Sequence, residues 1–371
     1  MIMFKEKWYL YSNDADFALE YLRNDIQSAT LLEEKAWLIH FLTQFGQFEE
    51  AKYFLDQFTP EILNYNYARA TLLRIRQFSG HPNPWEAMLL PGEEQIFQWH
   101  CEQIMNQSTP LDIYLGGGLG DQLEFISRLK PSLVDHDLFH RLNIVLPQKS
   151  QLALASFLKK FTPRDFPEIR FEDNNISLNK AWISMIPFFA LLANYRLLKP
   201  PEPVFSSFNK ARNANSLLFC WRSKVDRSEK LWAHLRSLPF LEISAIYRHL
   251  VPFAKQNGIA LIDITNYREH EILELSEYYP VLQLRNNQIK SFMDTVQLLK
   301  SSSGIISVDT ALVHLSSWFG LKMSILLHSF PDGRWCTNKS YKMEVVQQLE
   351  YNNWHNISIE VINHLISRYF S

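Results

Sequence analysis

Gly304-Ile305-Ile306-Ser307-Val308-Asp309-Thr310-Ala311-Leu312-Val313-His314-Leu315 is the stretch on which the reading of this chain turns. It opens as a short apolar run rich in β-branched residues, the pattern of a buried strand. Ser307, Asp309 and Thr310 follow, residue types whose side-chain oxygens accept the orphan amides of a first helical turn. From Ala311 onward, Leu312, Leu315, Trp318 and Phe319 recur at helical spacing, and Gly320 stands where a left-handed residue closes a helix. Lys322 to His328 is a second apolar run. The spacing predicts strand, helix, strand, with a polar turn at the carboxyl end of the first strand. Ligands of open α/β sheets bind at that end, and a helix N-terminus there favours anions. A phosphate-bearing ligand is the expectation.

Working backward from this unit, Leu217-Leu218-Phe219-Cys220-Trp221 reads as the first strand of the same α/β domain. It ends in Arg222-Ser223-Lys224, and Arg227, Lys230 and Arg236 follow closely. Strand Ala260 to Asp263, helix Glu269 to Tyr278, strand Val281 to Leu284 and helix Phe292 to Ser301 lead back to Gly304. Beyond Leu327 come Phe330-Pro331-Asp332-Gly333-Arg334-Trp335 and a terminal helix, Ile357 to Ser371.

The middle of the chain repeats the logic. Leu111 to Leu115 is strand-like, Gly116-Gly117-Gly118-Leu119-Gly120-Asp121-Gln122 follows, and Leu123, Phe125, Ile126 and Leu129 then recur at helical spacing. Glycines between a strand and a helix let a ligand approach the backbone closely. The run is neither the GxGxxG fingerprint nor a Walker loop, because the third glycine and the Lys-Ser/Thr pair are missing. What it offers is Asp121 on a glycine hinge, read either as a general base or as a cap of the following helix. Asn143 to Pro147 is a second strand, Gln151 to Phe161 a helix, and Ala181 to Leu192 an apolar, buried stretch. The prolines of Lys199-Pro200-Pro201-Glu202-Pro203 open a linker that runs to Ser216.

Residues up to about 105 read as helical. Gly46-Gln47-Phe48-Glu49-Glu50-Ala51 is similar to the turn and second helix of a tetratricopeptide repeat, with one recognisable copy where a stable array needs about three. Two readings follow for this region, a partner-binding repeat and a helical cap. Asp14-Ala15-Asp16 has the spacing of a metal-binding DxD but falls at a helix start, where acids suit the dipole. Asp135-His136-Asp137 lies in a polar connection and is discounted.

Composition narrows the class. The chain has 371 residues, 47% hydrophobic and 20% charged, with net charge −2. Mixed signs without a basic footprint argue against nucleic acid as a partner. Met1 to Leu10 carries Lys5, Glu6 and Lys7 without a continuous apolar core, so no secretory leader is expected, and the longest apolar stretch is short of a membrane span. Three scattered cysteines without a CxxC point to neither a disulfide framework nor a zinc site. The expectation is a cytoplasmic protein, with peripheral association at the inner membrane face left open.

Four features together resemble the GT-B glycosyltransferases, and more narrowly the heptosyltransferase-like group, glycosyltransferase family nine, with its tetratricopeptide-linked relatives. They are Gly117 to Gln122, Arg236-Ser237-Leu238-Pro239, the Ile306 to Leu315 segment, and Pro331-Asp332 with Arg334-Trp335. The resemblance implies an α/β protein of two Rossmann-like domains facing a cleft, preceded by an all-α region. The boundaries drawn are 1–108 helical, 109–207 acceptor side and 208–371 nucleotide-sugar side, with the last helix free to pack back on the preceding domain.

By the same resemblance Asp121 is the catalytic base, and Gly118 and Gly120 are donor-binding residues. Arg222 or Lys224 neutralises a departing diphosphate, the amides of Thr310, Ala311 and Leu312 hold its oxygens, and Ser307 and Asp309 face the donor. His314 is left between ligand contact and core histidine. No cofactor or metal is expected beyond the donor itself, a nucleoside-diphosphate sugar, and the acceptor is a saccharide, a lipid-linked saccharide or a protein. Ala311 stands where relatives often carry glycine, and Asp263-Ile264-Thr265-Asn266-Tyr267 departs from their strand end; both lean away from heptose. The alternatives are a non-catalytic nucleotide-sugar or glycan binder that docks a protein partner, and an epimerase of the same architecture.

Overall fold

The computed structural model describes residues 14–58, 60–89, 101–106, 109–116, 118–147, 167–172, 181–199, 202–204, 215–223, 234–331, 335 and 343–370. The chain divides into two compact units. Asp16–Glu202 falls in the first together with Phe330–Asn338, and Pro203–Ser329 with Lys339–Ser371 in the second. The helical region and the first sheet fall in the same compact unit.

The first unit begins with helices α1 (Ala15–Ser28), α2 (Leu32–Leu42), α3 (Phe48–Phe58) and α4 (Asn66–Phe78). Asp16 lies in the first turn of α1, as its spacing suggested. Gly46 turns the chain between α2 and α3 at φ 74°, a left-handed conformation that glycine adopts without a Cβ penalty. The ring of Phe330 fills the space beside it, so close that a β-carbon on Gly46 would meet that ring at 2.3 Å. Arg74, buried on α4, donates through Nη2 to the carbonyls of Phe330 at 2.7 Å and Pro331 at 3.1 Å. The Phe330–Pro331 segment, which the sequence reading gave to the second domain, is thus seated on the helices of the first unit. Asn83, from the His-Pro-Asn-Pro turn, donates to the carbonyl of Ala190 at 3.0 Å, and Trp85 stacks on Phe189 at 4.7 Å. These contacts tie the helices to the sheet layer.

That layer contains β1 (Leu111–Tyr114), α5 (Leu119–Leu133), a short helix α6 (Leu138–Arg141), β2 (Leu142–Pro147), β3 (Glu168–Glu172), β4 (Ala181–Ser184) and α7 (Met185–Asn194). The strands run in the order β3-β2-β1-β4, all parallel. The order reverses between β1 and β4, whose carboxyl ends meet at Tyr114 and Ser184. The apolar stretch from Ala181 is a strand that turns at Ser184 into a helix, and the helix expected at 151–161 lies outside the described residues.

The second unit holds β5 (Ser216–Cys220), α8 (Phe240–Gln256), β6 (Ala260–Asp263), α9 (Glu269–Leu275), β7 (Leu282–Leu284), α10 (Phe292–Lys300), β8 (Gly304–Val308), α11 (Ala311–Trp318), β9 (Lys322–Leu327), β10 (Met343–Gln347) and α12 (His355–Leu365). Its six strands are parallel in the order β10-β9-β8-β5-β6-β7, the doubly wound arrangement. Every residue of β8 is buried, as a central parallel strand covered on both faces requires. Trp221, Tyr247, Phe219 and Ile306 form the core, and burying each such side chain contributes roughly 1.5–3 kcal/mol. The closing helix α12 joins this core through Ile357, Val361 and Leu365.

Candidate functional site

In the second unit the strand order reverses between β5 and β8, and Cys220 pairs with Ser307 at their carboxyl ends. A crevice at such a reversal is where open α/β sheets bind ligands. The chain leaves β5 at Trp221-Arg222 and leaves β8 at Asp309-Thr310, so the two polar turns singled out in the sequence come from adjacent strands. Ser307, Asp309, Thr310, Ala311 and His314 are gathered here by one strand and one helix. Lys224 lies outside the described residues.

Thr310 is the N-cap of α11, with extended backbone at φ −144° and ψ 166°. Its hydroxyl makes no cap hydrogen bond, contrary to the residue-type expectation, and lies 3.3 Å from the Ser307 hydroxyl. The Val313 amide turns to the Thr310 carbonyl at 3.0 Å. The helix has no acceptor of its own for the amides of Ala311 and Leu312, which open its positive end. His314, one turn further in, is buried with 3% of its surface exposed.

Beside this helix end stands the cation of the Arg236-Ser237-Leu238-Pro239 motif. Arg236 Nη1 lies 3.9 Å from Asp309 Oδ2, both side chains partly exposed. Arg222 is placed differently from its expected role. Its Nη1 and Nη2 each donate at 2.9 Å to the two oxygens of Glu271, and its Nε donates to the carbonyl of Leu238 at 3.3 Å. Its guanidinium also lies over the ring of Tyr267, 5.5 Å from the centroid. Burial raises the Glu271 carboxyl, but the Arg222 hydrogen bonds, the Arg268 amide and both charges outweigh it, and the net direction is downward. A guanidinium held at three nitrogens by a carboxylate and a carbonyl is a strut in this state.

The Asp263–Tyr267 segment forms a buried polar network. Asp263 accepts the Thr265 amide at 2.7 Å and the hydroxyls of Tyr247 at 2.5 Å and Tyr267 at 2.6 Å. Trp221 donates its amide to the Thr265 hydroxyl and its ring N–H to the Tyr247 hydroxyl, both at 2.8 Å. Burial pushes the Asp263 carboxyl upward against these hydrogen bonds, and it pushes the neighbouring Cys220 thiol up to about 12. That thiol is therefore a poor nucleophile.

The glycine loop belongs to the first unit and follows β1 at that sheet's own reversal point. Gly118 is the N-cap of α5, and Asp121, three residues on, accepts its amide through Oδ2 at 3.0 Å. Gly120 lies in the first helical turn. Of the two readings of Asp121, the cap is realised in this geometry, and the carboxylate is held at a positive helix end. Among the described residues no group of three His, Cys, Asp or Glu side chains is placed to hold a metal, and no helix is long and apolar enough to cross a membrane.

Solved structures of similar backbone include E. coli heptosyltransferase WaaC with ADP, at 10% identity and a TM-score of 0.48, covering 69% of this chain and 99% of that one. E. coli ADP-heptose lps heptosyltransferase II aligns at 11% identity and 0.46, covering 70% and 98%. A glycosyl transferase of family 9 from Veillonella parvula aligns at 9% identity and 0.44, covering 71% and 90%. No family model and no curated protein matches the sequence.

Proposed function

We propose that this protein is a glycosyltransferase that moves a sugar from a nucleoside-diphosphate sugar to an acceptor hydroxyl, with inversion at the anomeric carbon. One observation carries the reading. The open N-terminus of α11 and the guanidinium of Arg236 stand together at the strand reversal of the second unit. Fixed amides and a cation are what a diphosphate needs both to bind and to depart. Asp309, which would repel phosphate, is assigned to donor hydroxyls. Asp121 takes the acceptor proton, the acceptor oxygen forms its bond to the anomeric carbon, and the bond to the diphosphate oxygen breaks with its electron pair. Arg236 and the amides of Ala311 and Leu312 receive that charge, and no metal ion is assigned a part.

A second reading is favoured by the cap geometry of Asp121, whose carboxylate is engaged with the Gly118 amide. In it the body binds a nucleotide sugar without transferring it, and the N-terminal helices serve a protein partner. The deciding experiment is calorimetric titration with ADP, GDP, UDP, dTDP and CMP, followed by product analysis with the matching sugar series. Binding and transfer support the enzyme, binding with no release of free nucleotide supports the binder, and absence of binding removes both.

A further inference from the structure

The Arg236 segment is held by the His234 carbonyl, which accepts the Ser237 amide at 3.0 Å, and by the turn that follows β5. Leu238 donates its amide to the Trp221 carbonyl at 2.9 Å, Ser223 donates its amide to the Ser237 hydroxyl at 3.0 Å, and Arg222 Nε donates to the Leu238 carbonyl at 3.3 Å. Three hydrogen bonds thus pin residues 237 and 238, immediately after Arg236, to residues 221–223. That turn is fixed in its own right from two directions. The Trp221 backbone and ring are bound into the Asp263 network through Thr265 and Tyr247. The Arg222 fork is bound by both oxygens of Glu271, whose side chain is only 5% exposed and which also accepts the Arg268 amide at 2.8 Å.

We propose that Arg222 and Glu271 are positioning residues for the anion-facing Arg236, so that Arg222 never touches the diphosphate but sets where the neighbouring cation stands. This rests on the assignment of Arg236 to the diphosphate. The physical logic is geometric. A bidentate arginine–carboxylate pair fixes the plane as well as the position of the guanidinium, and the Nε of that same plane holds the Leu238 carbonyl. Replacing one oxygen of Glu271 by an amide leaves a donor facing a donor, so the fork must rotate. Rotation releases the Leu238 carbonyl, one of the three hydrogen bonds to residues 221–223, and the segment that carries Arg236 is free to shift.

The test is a double-mutant cycle on nucleotide binding, with Glu271→Gln, Arg236→Ala and the double variant, using whichever of ADP, GDP and UDP binds the parent protein. Glu271→Gln is expected to weaken binding about tenfold when Arg236 is present and hardly at all when it is absent, since residues acting as one unit are non-additive. Under turnover the donor KM rises while the acceptor KM stays. Equal losses in both backgrounds would mean that Glu271 supports the fold generally, and would overturn the inference. The Arg236 Nε–H resonance reads the same geometry without ligand. It is expected to move in Glu271→Gln, and an unmoved resonance overturns the inference even where nucleotide binding is intact. A parent protein that binds no nucleoside diphosphate, but in which that resonance moves, would sink the diphosphate assignment and leave the mounting of Arg236 supported.

Discussion

Arg236 and Asp309 face each other across 3.9 Å, too far for a hydrogen bond and close enough for charge. The contact is one that a doubly charged phosphate group can outcompete. Replacing Arg236 by Ala is expected to weaken nucleoside-diphosphate binding by roughly 1.5–3 kcal/mol, the range for a hydrogen bond to a charged group. The salt dependence of binding should become shallower in the same variant. Titration at two ionic strengths checks both, and unchanged affinity would return the search for the leaving-group cation to residues near Lys224.

Asp121→Asn keeps an oxygen that can accept the Gly118 amide, so the cap of α5 survives. The variant loses the ability to take a proton. The expected result is normal folding and normal nucleotide binding with transfer reduced about 10²–10⁴-fold, the usual weight of general-base catalysis. Steady-state assay beside a thermal melt separates the two roles. Undiminished transfer would leave Asp121 as a cap alone.

Gly46→Ala meets two obstacles at once, a left-handed φ of 74° and the Phe330 ring at 2.3 Å from the new carbon. The conformational cost is about 1 kcal/mol, and overpacking adds roughly 1–3 kcal/mol more. Urea denaturation followed by the fluorescence of the helical region is the measurement. A midpoint unmoved by the substitution would mean that Phe330 leaves this seat at little cost.

Glu271 supplies a pH signature. Its folded pKa lies below the ordinary glutamate value of 4.5. A depressed carboxylate contributes stability that is present above the unfolded pKa and is lost as pH falls through the folded one. The stability gap between the parent protein and Glu271→Gln is therefore expected to be constant from neutrality down to about pH 5 and to close below it. Denaturant midpoints at several pH values test this, and a gap that widened on acidification would have the wrong sign.

How much of this was legible in the sequence depended on what each residue answers to. The β8–α11 unit was readable because a strand buried on both faces must be a continuous apolar run, and a helix after it must show its own period. The strand β10 was missed because it lies at a sheet edge, where Glu344 and Gln347 are tolerated and only Val346 is fully buried. The strand β4 was not separated from the rest of the apolar stretch from Ala181 to Leu192, because it passes into α7 without a turn signal. Arg222 was read by its place at a strand end, which is correct, yet its partner lies 49 residues away on α9. No local spacing announces such a pairing. The Asp263 network was visible as an anomaly and became intelligible only when Trp221, Tyr247 and Tyr267 were seen around one carboxylate.

The seat of Phe330 on α4 also sets an order of events. Arg74 and Phe330 are separated by 256 residues, although both belong to the first unit. A ribosome adding about 5–20 residues per second needs roughly ten to fifty seconds to cover that distance. During that interval the helices and the first sheet exist as a nascent body whose buried arginine still lacks two of its carbonyl acceptors. The unit that is synthesised first is therefore finished nearly last, and a message truncated before Phe330 yields neither unit intact.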